Sequence, residues 1–156
     1  MSRRSKPKRR IPQPDAVYND TILAKFINSL MTRGKKVTAE KIVYGALDEL
    51  ASQGEKEPLA LFHEALKKVR PLVRVKARRV GGSTYQVPIE VREEEGVAIA
   101  FRWIRDNARG RKGRSMKHKL RDELRDASKG LGGSVKKRED THKMADANKA
   151  FAHYRF

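Results

Sequence analysis

The sequence predicts a mainly α protein, a single domain of about six helices with a protruding two-stranded β-hairpin and a flexible basic N-terminal arm. Apolar residues recur at helical spacing through most of the 156 residues. Residues 73–91 instead alternate with the period of a strand, and residues 1–10 hold six cations and no acid. We therefore divide the chain into an arm at 1–14, a helical domain at 15–150 with the hairpin at 73–91, and a tail at 151–156.

Two apolar stripes predict the first two helices. The first stripe follows a cap candidate at Asn19/Asp20, ends at Gly34 and consists of Ile22, Leu23, Phe26, Ile27, Leu30 and Met31. The second ends before Gly54 and consists of Ile42, Val43, Ala46, Leu47, Leu50 and Ala51. Because each stripe must be covered, we expect these helices to pack together.

Two prolines bracket the third predicted helix. Pro58 suits a first helical turn, and Pro71 cannot continue the helix. The inward residues between them are Leu59, Phe62, Ala65, Leu66 and Val69.

The hairpin follows at once. Cations alternate with small apolar residues in its first strand, and the second strand carries Tyr85, Val87, Ile89 and Val91 on one face. Gly81 and Gly82 accept positive φ, and residues 81–84 suit a four-residue loop. An isolated ribbon is marginally stable, so we expect one face to pack on the helices and the other to meet a partner. A solvated hairpin with charged edges is the alternative.

Three more helices complete the prediction. Residues 93–95 are glutamates that suit the start of the fourth helix, whose inward residues are Val97, Ala100, Phe101, Ile104 and Ala108. Ser115 is the cap candidate of the fifth, and Gly130, Gly132 and Gly133 are expected to end it. The sixth begins near Ser134, with Met144 as its best apolar anchor. The aromatic tail is either a docking segment or a frayed terminus.

The charge points to a polyanionic partner. Lys and Arg number 37 against 19 Asp and Glu, which gives a net charge of +18. Residues 11–73 are nearly balanced, with nine cations and eight acids, so the excess lies in the arm, the hairpin and the C-terminal half. Nucleic acid is therefore the leading partner class, ahead of membranes and acidic proteins.

Other functional classes have little support. The chain has no cysteine, which is compatible with a reducing cytoplasm, and no apolar run of membrane-spanning length. The histidines, His63, His118, His142 and His153, lie far apart without metal-ligand spacing. We expect no enzyme activity, no cofactor and no metal site. Two alternatives remain, an RNA-processing enzyme with dispersed catalytic groups and a DNA-binding architectural protein.

Clusters of cations are the candidate phosphate contacts. The arm supplies Arg3, Arg4, Lys6, Lys8, Arg9 and Arg10, and the turn between the first two helices supplies Lys35 and Lys36. The hairpin supplies Lys76, Arg78 and Arg79. The later segments supply Arg109, Arg111, Lys112, Arg114, Lys117, Lys119, Lys136, Lys137 and Arg138. Aromatic residues make up only 6% of the chain, which favours recognition of shape and backbone over base stacking.

The same segments resemble a known family. The pattern of Asp20, Ile22, Phe26, Ile27, Gly34, Lys35, Lys36, Ile42, Val43 and Ala46 is similar to the signature of the small-subunit ribosomal protein seven family, bacterial type. The similarity continues through residues 78–82, 85–88, 102–103, 132–133, 136–137, 145–148 and 152–155, and so covers almost the whole chain.

The resemblance implies a six-helix fold with a β-ribbon, located in the cytoplasm within the small ribosomal subunit. It implies a primary binder of the 3′ major domain of small-subunit rRNA, which nucleates head assembly beside the ninth and eleventh small-subunit proteins. It assigns rRNA contacts to the basic arm, the hairpin and the loops. Toward exit-site tRNA and mRNA it places Gly81, Gly82, Ser83, Thr84, Tyr85, His153, Tyr154 and Arg155. Repression of the protein's own mRNA is a further implied role.

Overall fold

The computed structural model describes residues 12–54, 57–113 and 115–154. Within these ranges the helices are α1 (Thr21–Leu30), α2 (Lys36–Ser52), α3 (Pro58–Val69), α4 (Glu93–Gly110), α5 (Met116–Ser128) and α6 (Gly132–Ala147). The strands are β1 (Val73–Val80) and β2 (Ser83–Glu90), and a 3-10 helix covers Lys149–Tyr154. The predicted mainly helical class with one hairpin is confirmed.

The first helix begins where the sequence predicts but ends four residues before Gly34, the predicted end. Asp20 is the N-cap residue, and its Oδ1 accepts a hydrogen bond of 2.6 Å from the backbone N–H of Leu23. The helix ends at Leu30, and Gly34 takes a positive φ of 75° in the turn that leads to α2. Pro58 likewise stands in the first turn of α3, as predicted.

The core gathers the predicted apolar stripes. The Phe26 ring is 5.3 Å from the Phe62 ring and 5.4 Å from the Phe101 ring, measured between centroids, so α1, α3 and α4 meet at one aromatic cluster. Helix α5 packs against α2, α3 and α4, and it buries Leu120, Leu124 and Ala127. The first two helices also contact each other, as expected.

The hairpin register mixes charged and apolar residues on each face. Arg74 pairs with Ile89, Lys76 with Val87 and Arg78 with Tyr85. Residues directly opposite one another in an antiparallel pair lie on the same face. Arg74, Lys76 and Arg78 therefore share the face of the apolar residues of β2, whereas Arg79 lies on the other face. The first of these faces packs inward at Val87, which is fully buried.

The hairpin loop is shorter than predicted. Gly81 and Gly82 have φ values of 58° and 89° and form a two-residue turn, while Ser83 and Thr84 pair with Val80 and Arg79 as part of β2. The four-residue loop was therefore wrong. Two glycines at positive φ match the twist of the strands and leave no need for a longer connection.

The sixth helix corrects two further predictions. Gly132 and Gly133 begin α6 instead of ending α5, and Met144 is 52% exposed, so it does not anchor the helix. Val135 and Ala145 are the buried apolar residues instead. Ser115 occupies the N-cap position of α5, but its side chain makes no capping hydrogen bond.

A buried polar contact takes over part of the anchoring of α6. Glu123 is 1% exposed, and its Oε1 accepts hydrogen bonds from the backbone N–H and the hydroxyl of Ser134. Its other oxygen lies 2.6 Å from Arg111 Nε. The start of α6 is therefore joined to α5 and to the end of α4 by a satisfied polar network.

Candidate nucleic-acid interface

The turn between α1 and α2 exposes a group of cations. Lys35 is the N-cap residue of α2 and Lys36 its first residue, and both are exposed together with Arg33. No side chain caps this helix start and its first turn holds no acid. The uncapped N–H groups and the neighbouring lysines both favour an anion. Lys36 also lies 3.6 Å from Glu40, a weak exposed pair.

Helix α4 brings a second basic group to the same place. Arg105 donates to the backbone carbonyl of Ser29 across 3.2 Å, and Arg109 donates to that of Leu30 across 3.3 Å. These contacts set the C-terminal half of α4 against the end of α1, next to the turn that holds Lys35. The cations of α4 and of the α1–α2 turn thus form one surface, which we call the α1–α4 basic face.

Two members of this face were missed in the sequence. Arg102 and Arg105 precede Arg109 by seven and four residues, so the three arginines lie along one side of α4. The pKa of Asp106 is lowered, chiefly by its hydrogen bond from Arg105 and further by the charges of Arg109 and Arg102, although partial burial acts in the opposite direction. The spacing of Arg102, Arg105 and Arg109 in the sequence is the signal that could have identified this side of α4 as basic.

Residues 109–119 cover the end of α4, a short loop and the start of α5, and their predicted cations divide into paired and exposed residues. Arg111 pairs with Glu123 and with Asp126, both at 2.6 Å. Lys117 reaches Glu49 on α2 at 2.7 Å. Lys112 is exposed and Lys119 half-buried, and Arg114 lies outside the described residues.

The hairpin exposes its cations on both faces. Lys76, Arg78 and Arg79 are exposed, and Arg79 points to the face opposite the other two because strand side chains alternate. At the base of the hairpin, Arg74 instead pairs with Glu95 at 2.8 Å.

The start of α6 contributes two exposed lysines. Lys136 and Lys137 are exposed, whereas Arg138 donates to the backbone carbonyl of Lys68 at the end of α3. The structure therefore gives Arg138 a contact within the fold, near the C-terminal end of a helix where a cation is favoured.

The hairpin and the C-terminal segment form one aromatic contact. Tyr85 lies 5.2 Å from Phe151 and 5.1 Å from Tyr154 between ring centroids. The tail is thus a docking segment as far as Tyr154, and it holds His153 beside the hairpin. Residues 81–84 are exposed at the tip. Arg155 is outside the described residues, as are Arg3, Arg4, Lys6, Lys8, Arg9 and Arg10.

The histidines are dispersed. His63 lies 2.9 Å from Asp20, His118 2.8 Å from Glu49, and His142 accepts a hydrogen bond from the N–H of Leu72. Across residues 12–54, 57–113 and 115–154 there is no group of three or more side chains with metal-ligating chemistry. In the same ranges no helix combines the length and apolarity needed to cross a bilayer.

Comparison with known proteins gives one consistent result. The family model described as ribosomal protein S7p/S5e matches residues 1–149. A small ribosomal subunit protein uS7 of Syntrophobacter fumaroxidans is 56% identical over 156 residues, covering all of both chains. A protein of the same name from Chelativorans sp. is 53% identical over 156 residues, and the match covers all of both chains. Another, from Nitrosospira multiformis, is 56% identical over 154 residues, which are 99% of this chain and 98% of the relative.

Proposed function

This chain belongs to the ribosomal protein S7p/S5e family, and we propose that it binds the 3′ major domain of small-subunit rRNA through the α1–α4 basic face together with the exposed cations of the hairpin, of the loop after α4 and of the start of α6. As a member of this family it is a structural, non-enzymatic constituent of the small ribosomal subunit and binds rRNA.

The contact of α4 with the end of α1 carries the proposal. Through Arg105 and Arg109 it gathers cations from two distant parts of the sequence into one surface. A folded RNA presents phosphates on adjacent strands, and a surface assembled from several elements can contact them together. The exposed members that we propose as contacts are Arg33, Lys35, Lys36, Arg102, Arg109, Lys112, Lys76, Arg78, Arg79, Lys136 and Lys137.

Several predicted cations receive a different role in the proposal. Arg111, Lys117 and Arg138 are half-buried and each has a partner within the fold, so we propose that they position the surface instead of contacting rRNA. The arm residues keep their predicted role as phosphate contacts.

The position of the hairpin and the tail extends the proposal. Tyr85, Phe151 and Tyr154 hold the C-terminal segment against the hairpin, so the two would approach a neighbour as one unit. We propose that this unit lies toward exit-site tRNA and mRNA, beside the ninth and eleventh small-subunit proteins. We further propose that rRNA binding nucleates assembly of the head and that the same surface represses the protein's own mRNA.

Binding by charge-neutral variants tests the surface. Lys35→Gln combined with Arg102→Gln should weaken binding to a 3′ major-domain rRNA fragment about 10- to 100-fold at moderate salt, because two phosphate contacts are lost. The slope of log K against log salt should become shallower by about 1.4 to 1.8. Filter binding across a salt series measures both quantities.

Lys67→Gln combined with Lys129→Gln provides the matched control. Both lysines are exposed, and Lys129 lines a cleft with Glu57 and Glu64 at the start of α3. The control removes the same charge and should change affinity less than threefold, since long-range charge is screened. Equal losses in the two variants would show that only net charge matters and would contradict the proposed surface.

A further inference from the structure

Glu49 of α2 faces three basic side chains of α5. Its Oε1 lies 2.7 Å from Lys117 Nζ, and its Oε2 lies 2.8 Å from His118 Nδ1 and 2.9 Å from Arg121 NH1. Arg121 is also paired with Asp122 at 2.8 Å. We call Glu49 with Lys117, His118 and Arg121 the Glu49 cluster. One carboxylate therefore accepts hydrogen bonds from three donors, an arrangement that leaves little of it exposed to water.

Gly45 makes this cluster possible. A Cβ added to Gly45 would lie 2.4 Å from Cδ of Lys117, so the lysine stem lies directly on the backbone of α2. From there the ammonium group reaches Glu49, one helical turn further along α2. The stem of Lys117 is thus held along its length as well as at its charged end.

The electrostatics of α5 also favour this position for Glu49. The first turn of α5 contains Lys117 and His118 but no acid, and no side chain caps it. Cations at a helix N-terminus oppose the helix dipole, and a carboxylate from α2 supplies the negative charge that the turn lacks.

The carboxylate remains ionised in this setting. Partial burial acts to raise the pKa of Glu49, but hydrogen bonds from Lys117 and His118, with their charges, outweigh it and lower the pKa. The Glu49 and Arg121 side chains are each only 19% exposed, whereas Lys117 is 40% exposed. At neutral pH the negative charge of Glu49 therefore offsets one of the two fixed positive charges of the cluster, those of Lys117 and Arg121.

Lys112 in the preceding loop provides the contrast. It is exposed and forms no ion pair with any residue that the structure describes. Two lysines five positions apart thus differ in what they can offer to a phosphate, although both are in the same basic stretch.

We propose that Glu49 withholds Lys117, His118 and Arg121 from nucleic-acid phosphates and thereby limits sequence-independent binding beside the loop between α4 and α5. The inference rests on the proposed function, in which the exposed cations of this protein contact rRNA. Affinity for any polyanion rises with the number of phosphates neutralised, and such contacts carry no sequence information. Holding part of the charge internally restrains binding to unrelated nucleic acid more than binding to an RNA whose shape fits.

Replacing the carboxylate by an amide tests this inference. In the full-length chain, Glu49→Gln should raise affinity for random-sequence duplex DNA about 3- to 10-fold at low salt and steepen the salt slope by about 0.9 for each phosphate gained. Affinity for the 3′ major-domain rRNA fragment should rise by a smaller factor. Asp48→Asn, at an exposed neighbouring position, removes the same charge and should change either affinity less than twofold.

A second pair of variants leaves Glu49 in place, so the test survives if Glu49→Gln fails to fold. Lys112→Gln should weaken duplex binding and make the salt slope shallower by about 0.9, because an exposed phosphate contact is lost. Lys117→Gln should reduce the affinity for duplex DNA clearly less, because the Lys117 ammonium is already paired with Glu49.

Two results would overturn the inference. One is a Glu49→Gln variant that binds duplex DNA no better than Asp48→Asn does. The other is a Lys117→Gln variant whose affinity for duplex DNA falls as much as that of Lys112→Gln. Failure of the proposed function gives a different result, namely a wild-type protein that prefers the rRNA fragment no more than random duplex. The duplex measurements still decide the role of Glu49 in that case.

Discussion

Tyr44 of α2 donates its phenolic O–H to Oδ1 of Asp15 across 2.6 Å, and this bond fixes the segment that leads from the arm into α1. Asp15 is 6% exposed, and its Oδ2 also accepts from the N–H groups of Val17 and Tyr18. The pKa of Tyr44 is raised, first by partial burial and then by its hydrogen bond to Asp15 and the charge there. The entry of the chain into the fold is thus set by one buried carboxylate.

Removing either partner of this bond should destabilise the protein. We expect Asp15→Asn and Tyr44→Phe each to lower the free energy of unfolding by about 1–3 kcal/mol, because a buried group loses a charge-assisted hydrogen bond. The double variant should lose less than the sum of the two. Urea unfolding measures these values, and strictly additive losses would show that the two residues are not coupled.

Acid should weaken the contact between α2 and α5. The pKa of Glu49 is lowered in the folded state, so its stabilisation is fully present above its ordinary value of 4.5. It is lost as the pH falls through the lower folded pKa. Stability should therefore fall with acid less steeply in Glu49→Gln than in the wild type. Urea unfolding at a series of pH values between 7 and 3 checks this, and identical slopes for both proteins would contradict it.

Two glycines should differ in their sensitivity to alanine. Gly34 and Gly132 have positive φ values of 75° and 90°, but only Gly132 is crowded, with a Cβ placed 3.2 Å from Cβ of Asp126 and 3.3 Å from Arg111 NH2. Gly34→Ala should lower the free energy of unfolding by about 1–2 kcal/mol, because of backbone strain. Gly132→Ala should lower it by about 1 kcal/mol more, because it also disturbs the ion pairs of Arg111.

Thermal or urea unfolding of these two variants makes the comparison. Gly34→Ala is the control for strain alone, since nothing lies within 4 Å of its added Cβ. If both variants lose the same stability, the close approach of α6 to the Arg111 pairs is not significant.

The aromatic contact should hold the C-terminal segment on the hairpin. We expect Phe151→Ala and Tyr85→Ala each to release this segment and to show a coupling of about 0.5–1.5 kcal/mol in a double-variant cycle. Hydrogen exchange of the amides in residues 149–154 reports the release directly. Leu131→Ala, at an exposed apolar residue at the start of α6, serves as the control and should leave this exchange unchanged.

Local sequence patterns predicted the helices and the hairpin, because each of these patterns depends only on residues that are close together in the chain. The N-cap role of Asp20 and most of the inward residues of α3 and α4 follow from spacing alone, and the structure confirms them. Leu59 and Val97 are only partly buried, and the buried Leu61 and Ile99 were not predicted. The prediction that Met144 anchors α6 was wrong because Glu123 holds this helix through Ser134, a polar contact that an apolar pattern does not show.

The candidate interface was less predictable for the same reason. A count of charges cannot distinguish Lys112 from Lys117, because the difference is made by Glu49, which lies 68 residues before Lys117. Likewise, the placement of Arg105 and Arg109 against Ser29 and Leu30 is a tertiary contact. The spacing of Arg102, Arg105 and Arg109 is visible in the sequence, and it would have identified one side of α4 as basic.

Competition binding tests the central claim most directly. Full-length protein is bound to the 3′ major-domain rRNA fragment across a salt series, with an unrelated structured RNA and duplex DNA as competitors. The account predicts that tight binding to the fragment persists in the presence of both competitors and that Lys35→Gln with Arg102→Gln reduces it. Equal displacement by every competitor would contradict the account, because it would mean that the protein by itself offers charge without specificity for this rRNA.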